Sequence, residues 1–335
     1  PTSMETYYFV RYNPGDKIAN VDCKLEVKKI VDDEVKKQSM RPCVCDYTPI
    51  DQLINADVKY DLTSCGTLYD EVIDSYKSIT GQALVISKPG PQEITFPAVL
   101  GAPGMRKTQT IVKNSCAQCS IHISPFRAIT TDINFSSGKL DMISKTYISC
   151  FKQLNSKQYQ RIYIDEALAV SAVILSMIKV LQPTAKIILL GDPYQIDYRN
   201  YHQTIEKYNC SYLPGRTYHN YTYRVPEAIC KLLRPYVNIL SNNKDPGIVE
   251  YRKNIDLEKY IPVKDEAILC FTNQVKDDLG KNMRNIQTVN ASQGKTYHTV
   301  HLFCDDVNKI QEDKFRYVYT AMSRVKHKLV LYSDK

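Results

Sequence analysis

Three observations predict an α/β chain of two parallel-sheet domains in tandem with a small N-terminal accessory domain. From residue 83 onward, short β-rich runs alternate with longer helical ones, the texture of parallel strands covered by helices. The alternation occurs twice, over 86–222 and 223–335, and the polar, tyrosine-rich stretch Tyr212–Tyr223 joins the two runs. The length of 335 residues leaves room for about two domains and a third small one, the role left for residues 1–85.

Residues 1–85 hold two helical patterns. One spans Leu25–Lys37, with Leu25, Val27, Ile30, Val31 and Val35 set among charges, and the other spans Leu68–Ile79. Pro42 and Pro49 mark a loop between them. Ala83–Ser87, Phe96–Leu100, Cys119–Ser124, Arg161–Ile164 and Lys186–Leu190 read as buried strands, with helices at Lys107–Lys113 and Glu166–Leu181. A second set of strands follows at Ala267–Thr272, His298–Phe303 and Lys328–Tyr332, with helices at Pro226–Leu233 and Phe315–Ser323. The sequence contains no internal repeat or low-complexity tract.

Composition narrows the function classes. Hydrophobic residues at 43% and charged residues at 24% exclude disorder as the main state, and 12 glycines exclude a collagen-like chain. The most apolar stretch, Ala167–Leu181, is interrupted by Ser171, Ser176 and Lys179 and is too short to span a bilayer. No signal peptide opens the chain, which starts at Pro1 and reads as a piece of something longer. The net charge of +8 is uneven: residues 1–85 hold 10 Lys+Arg against 14 Asp+Glu, and residues 86–335 hold 34 against 22. A basic body points to a polyanion, with nucleic acid the leading candidate. Eleven cysteines, an odd number without a secretory signal, read as reduced thiols. Cys116, Cys119 and His122 have ligand-like spacing, and Cys23, Cys43, Cys45 and Cys65 make a second candidate set, with buried free cysteine the default for both.

The first chemical signal is Gly101-Ala102-Pro103-Gly104-Met105-Arg106-Lys107-Thr108, in which an apolar strand runs through a turn into a helix that opens on Lys-Thr. In a phosphate loop, backbone N–H groups and the helix N-terminus wrap phosphate, Lys reaches the β and γ oxygens, and the hydroxyl binds Mg²⁺. Arg106 departs from the pattern, which wants Gly there. It adds a Cβ where the backbone bends, and it also adds positive charge. Next, Arg161–Ile164 ends in Asp165-Glu166, suited to holding a Mg²⁺ shell and polarising an attacking water; an acidic pair capping a helix is the alternative. Gly191-Asp192-Pro193-Tyr194-Gln195 then follows a third buried strand and places a glutamine at its tip, where it can touch a γ-phosphate.

These three segments resemble motifs I, II and III of superfamily 1 helicases. The order continues through Thr222-Tyr223-Arg224-Val225-Pro226, similar to the family's Tyr-Arg-x-Pro element, and Thr288–Thr296 with Gln293-Gly294, similar to motif V. Val318–Lys326 with Ser323-Arg324 resembles motif VI, while Ser124-Pro125-Phe126-Arg127 and Lys145–Ser149 sit where motif Ia and the segment after it belong. The wording of the loops is most similar to the helicase domains of alphavirus-like positive-strand RNA virus replicase polyproteins. Residues 86–335 carry the resemblance.

The resemblance implies two RecA-like domains and an RNA helicase that hydrolyses ATP or another NTP with Mg²⁺. Lys107, Glu166, Gln195, Arg224 and Arg324 would be catalytic, with both arginines reaching across from the second domain. Gly101, Gly104, Arg106, Lys107, Thr108, Asp165 and Gly294 would bind nucleotide, and Thr108 and Asp165 would hold Mg²⁺. Phe126, Arg127, Thr146, Tyr194, Asn290 and Ser292 would face RNA, single-stranded or duplex. The same resemblance implies replicase partners such as a polymerase and a methyltransferase, a place in replication complexes of the host cytoplasm, and removal of the RNA 5′ γ-phosphate. Two further readings stand beside it: a movement-type viral helicase, and an RNA-binding scaffold whose NTPase activity is weakened by Arg106.

Overall fold

The computed structural model describes residues 45–62, 73–74, 77–78, 93–126, 129, 143–197, 207–212, 218–258, 260–281, 286–310 and 314–334. The helix expected over Leu25–Lys37 and the strand expected at Ala83–Ser87 lie outside the described residues, as does most of the helix expected over Leu68–Ile79. Among the described residues no helix is long and apolar enough to cross a membrane.

The first unit is a seven-stranded sheet. Its strands are β1 (Ala56–Asp61), β2 (Glu93–Leu100), β3 (Ser120–Ser124), β4 (Ile143–Thr146), β5 (Arg161–Ile164), β6 (Lys186–Gly191) and β7 (Lys207–Tyr212), in the order β4-β3-β5-β6-β2-β1-β7. From β4 to β2 all neighbours are parallel, while β1 runs antiparallel to both β2 and β7. Helices α1 (Thr48–Asp51), α2 (Lys107–Asn114), α3 (Tyr147–Ser156) and α4 (Ala172–Leu181) accompany it. One apolar cluster joins β2, β3, β5 and β6 to α3 and α4 through Leu100, Ile123, Ile164, Phe151, Leu175 and Ile178; another joins Ile50 and Ile54 to Val99, Ile111 and Ile188. Near-continuous burial along β3, β5 and β6 is what a parallel sheet covered on both faces requires.

The second unit adds a two-stranded pair, β8 (Tyr221–Thr222) with β9 (Leu240–Ser241), and a five-stranded parallel sheet in the order β10-β14-β13-β11-β12. These strands are β10 (Ile248–Arg252), β11 (Glu266–Cys270), β12 (Ile286–Thr288), β13 (Tyr297–Phe303) and β14 (Val325–Tyr332). The accompanying helices are α5 (Glu227–Leu233), α6 (Asn254–Glu258), α7 (Asn273–Gly280) and α8 (Lys314–Met322). Its core takes in Ala102 and Ile196 from the first unit, so the two units share an apolar seam.

The accessory domain is expected over 1–85; within the described part of that range, β1 pairs along β2 from Ala56–Ala98 to Asp61–Glu93, and the buried Asn55 side chain bonds both backbone groups of Leu100 at 2.8 Å. This segment supports the strand that enters the phosphate loop. The single helix expected over Glu166–Leu181 is instead a 3₁₀ turn at Ala167–Ala169 followed by α4. Glu166 is left-handed at φ 50° and so lies outside any helix, Val170 is extended after the turn, and Ser171 starts α4 by capping the Val173 N–H at 3.2 Å.

Asp51 fastens α1 to the first sheet. Its carboxylate takes both guanidinium nitrogens of Arg161 at 2.6 and 2.9 Å and the Lys186 ammonium at 3.0 Å. The Arg161 hydrogen bonds hold its carboxyl below the usual carboxylate value. A depressed folded pKa contributes stability above the unfolded value near 3.9 and loses it as pH falls through the folded value. Asp51→Asn is therefore expected to cost about 0.5–1 kcal/mol at pH 7, discounted for partial exposure, with the gap closing below about pH 4. Urea unfolding of both proteins across that range checks it; equal stability at pH 7 would contradict the role.

Candidate functional site

Parallel strands bring their carboxyl ends to one edge, and here β2, β5 and β6 lie side by side with Gly101, Asp165 and Asp192 just beyond their tips. The loop after β2 is held by a second segment. Gly101 pairs with His219, the Ala102 N–H donates to the His219 carbonyl at 2.8 Å, and the Tyr223 N–H donates to the Gly104 carbonyl at 3.0 Å. The Thr222 hydroxyl donates to the Pro103 carbonyl at 2.6 Å. Gly104 has φ 79°, and a Cβ there would lie 2.4 Å from the Arg224 Cβ. A glycine is needed both for the turn and for the close approach of the arginine.

The cleft so formed is lined by Lys107, Thr108, Asp165, Glu166, Gln195, Arg224 and Arg324. The Lys107 ammonium caps the loop carbonyls of Gly101 and Ala102 at 2.7 and 3.3 Å. Burial lowers its pKa against the pull of Asp192, Glu166 and Asp165. Arg324 is 1% exposed and donates to the Thr320 and Lys295 carbonyls at 3.1 and 3.4 Å, to the Ser323 hydroxyl at 3.3 Å and to Gln195 Oε1 at 2.9 Å. Burial lowers its pKa, and burial together with the charge of Arg324 brings Arg224 down to about 10. Lys107, Arg224 and Arg324 form no ion pair with a described residue. Three cations thus line one cleft, within the fields of Asp165, Glu166 and Asp192.

The adjacent carboxylates are pushed apart. Burial alone would raise Asp165, but bonds from His122 at 3.1 Å and the Thr108 hydroxyl at 2.8 Å, with the field of Lys107, hold it below its ordinary value. Burial and the charge of Asp165 raise Glu166. Asp165 is thereby an ionised acceptor and Glu166 the better proton acceptor. An ionised carboxylate touching a hydroxyl is an all-oxygen donor set that suits a hard divalent cation.

Other expected residues fall less simply. Arg224 follows directly on the segment bonded to the phosphate loop, while Val225 enters the second core. It therefore stands at the junction, and only Arg324 is delivered wholly from the second unit. Gly294, at φ 78°, packs where a Cβ would meet Ile129 at 2.7 Å and Phe126 at 3.2 Å, joining the motif V and motif Ia segments. Phe126 is half-buried, Asn290 opens a 3₁₀ turn, and Thr146 ends β4. Ser292 is buried with its hydroxyl on the Val289 carbonyl at 2.6 Å, so it faces no open groove. Tyr194 is half-buried against Tyr218 and Tyr319. Arg127 lies outside the described residues. Sequence reasoning treated His122 only as a metal candidate and missed its bond to Asp165, which long-range pairing of β3 with β5 creates.

Arg106 shows why the loop pattern prefers glycine. It is left-handed at φ 70°, and its guanidinium lies 3.8 Å from the centroid of the Tyr223 ring. The left-handed backbone costs about 1 kcal/mol and the stack offsets about 0.5–1 kcal/mol. Arg106→Gly should therefore leave stability within about 1 kcal/mol and retain activity, because strain and stack disappear together. Arg106→Ala keeps the strain without the stack and should be the least stable of the three in urea unfolding. Alanine and glycine variants of equal stability would mean the position carries no strain.

A family profile described as the viral superfamily 1 RNA helicase core domain matches residues 98–333. The chain is 26% identical over 270 residues to polyprotein P1234 of O'nyong-nyong virus (strain Igbo Ora), covering 76% of this chain and 10% of the polyprotein. It is 26% identical over 239 residues to polyprotein P1234 of Sindbis virus, covering 65% and 9%. The chain spans about a tenth of the length of these curated relatives. Among solved structures, the PRRSV helicase aligns with TM-score 0.50 at 14% identity over 75% of this chain and 60% of that one. The arterivirus nonstructural protein 10 (helicase) aligns with TM-score 0.50 at 14% identity over 76% and 69%. At such identities the structural likeness shows the fold alone. The profile match runs from inside β2 to just past the end of β14 and encloses every segment of the cleft, and the chain belongs to the viral superfamily 1 RNA helicases.

Proposed function

We propose that this chain is the motor of a viral replicase: it hydrolyses ATP or another NTP with Mg²⁺ and uses the cycle to move along and unwind RNA. The observation that carries the reading is the convergence of Lys107, Arg224 and Arg324, without ion-pair partners among the described residues, on a cleft that also holds Asp165 and Glu166. Burial and the charge of Arg324 depress Arg224, an anion bound beside both guanidinium groups relieves that, and a triphosphate supplies the charge.

Lys107 exchanges the loop carbonyls for the β- and γ-phosphates; Thr108 and Asp165 would hold Mg²⁺, which when bound would neutralise phosphate charge. Glu166 accepts a proton from the attacking water as its oxygen bonds to the γ-phosphorus and the bond to the β-phosphate oxygen breaks. Gln195 keeps its amide oxygen on Arg324 and presents an amide N–H to the γ-phosphate. Arg224 and Arg324 offset the charge that develops in the transition state. Arg324 enters from the second unit, so hydrolysis depends on how the units sit, the requirement for coupling it to movement.

Phe126, Arg127, Thr146 and Asn290 belong to the proposed RNA path, with replicase domains as neighbours in cytoplasmic replication complexes. Removal of the RNA 5′ γ-phosphate would use the same phosphate chemistry. Arg106 favours one rival, a scaffold that binds RNA and hydrolyses NTP poorly. RNA-stimulated ATP hydrolysis decides between them: Lys107→Ala and Glu166→Gln should each lower turnover about 10²-fold or more. Equal background turnover in wild type and both variants would leave the scaffold.

A further inference from the structure

Between the two units lies a buried carboxylate that the hydrolysis chemistry does not use. Asp192, 3% exposed, stands just beyond the tip of β6. Its Oδ1 accepts the Tyr194 backbone N–H at 3.0 Å and the Tyr218 hydroxyl at 3.1 Å. Its Oδ2 accepts the Tyr319 hydroxyl at 2.8 Å and Gln195 Nε2 at 3.4 Å. Tyr218 adjoins the segment bonded to the phosphate loop, and Tyr319 lies on α8, five residues before Arg324. The Tyr194 ring closes the cluster, edge-on to Tyr218 at 5.2 Å and 90° and to Tyr319 at 6.1 Å and 61°.

Donor and acceptor chemistry orders these groups. A carboxylate only accepts and a guanidinium only donates. Gln195 lies between Asp192 and Arg324, with Nε2 toward the first and Oε1 on Arg324 Nη2 at 2.9 Å. With its amine turned to Asp192, the amide can meet the arginine only through its oxygen. Burial and the charge of Asp192 push both tyrosine hydroxyls well above their ordinary pKa, which keeps them as donors. The same stretch bonds the second unit again through Ile196, whose N–H donates to the Thr320 hydroxyl at 3.2 Å and whose carbonyl accepts Gln293 Nε2 at 3.1 Å.

We propose that Asp192, with Tyr218 and Tyr319, is a positioning element that orients Gln195 and sets the reach of Arg324, linking the γ-phosphate sensor to the helix that brings the second arginine. The proposal deepens the hydrolytic reading and rests on it. Buried carboxylates are costly, and this one is fully bonded to groups from both sides of the junction, so its removal should disturb catalysis more than nucleotide binding.

The test uses the full chain in RNA-stimulated ATP hydrolysis, with titration of a fluorescent ATP analogue. Tyr319→Phe removes one oxygen and keeps the ring. It should lower kcat about tenfold while KM and the analogue's Kd stay within about twofold, because Lys107 and Thr108 are untouched. Asp192→Asn should act in the same direction, since its amide no longer orders Gln195. In a Gln195→Ala background Tyr319→Phe should add no further loss. An unchanged kcat in Tyr319→Phe, an equal fall in analogue affinity, or losses that multiply in the double variant would overturn the proposal. Wild-type turnover no higher than that of Lys107→Ala would instead overturn the hydrolytic reading, and this one with it.

Discussion

The site depends on a short backbone seam. The phosphate loop is not a free turn between β2 and α2; its carbonyls and N–H groups are bonded along His219–Tyr223. Loops of this kind otherwise present unsatisfied backbone groups. Here the bonds that satisfy them also decide where Arg224 stands, because it is the next residue. Gly104 permits the approach, and Asn55 braces the last residue of β2 from the other side. One set of hydrogen bonds therefore fixes Lys107 and Arg224 relative to each other, and leaves Arg324 as the cation delivered from beyond the junction.

Charge completes what the seam begins. Lys107, Arg224 and Arg324 are depressed by burial and, for Arg224, by the charge of Arg324, while Asp165 and Glu166 are driven in opposite directions. In the proposed cycle a bound triphosphate relieves the depression of the three cations. Neutral acceptors hold Arg324 in place, with Gln195 as the bridge. The proposed cycle needs no large rearrangement of the phosphate loop, only movement of the unit that carries α8.

Much of this was legible in the sequence because the groups that carry chemistry sit at the ends of buried strands, where apolar runs stop at polar tips. Leu100 to Gly101, Ile164 to Asp165 and Leu190 to Asp192 are such stops, and each of these strands ends within about one residue of its expected end, although β2 begins earlier, at Glu93 rather than Phe96. Pairings between distant segments were not legible. Nothing local in Ala56–Asp61 says that it pairs with β2, since a short strand of alternating burial does not name its partner. The backbone state of Arg106 and Glu166 was equally hidden, because a left-handed non-glycine residue is held by its surroundings. Ser292 was placed on an RNA face by motif position, yet it is buried with its hydroxyl on the Val289 carbonyl, a local turn that motif position does not reveal. The Asp192 cluster draws on β6, the connector and α8, which no spacing rule brings together.

In the proposed cycle the cleft reads a γ-phosphate with two arginines, Arg224 at the junction and Arg324 from the second unit. The most direct measurement compares the Kd of a non-hydrolysable ATP analogue with that of ADP, both with Mg²⁺, in wild type and Arg324→Ala. The account predicts that wild type binds the triphosphate at least about tenfold more tightly and that most of this preference disappears in Arg324→Ala. Equal affinity for the two nucleotides in wild type, or a preference untouched by the loss of Arg324, would contradict it.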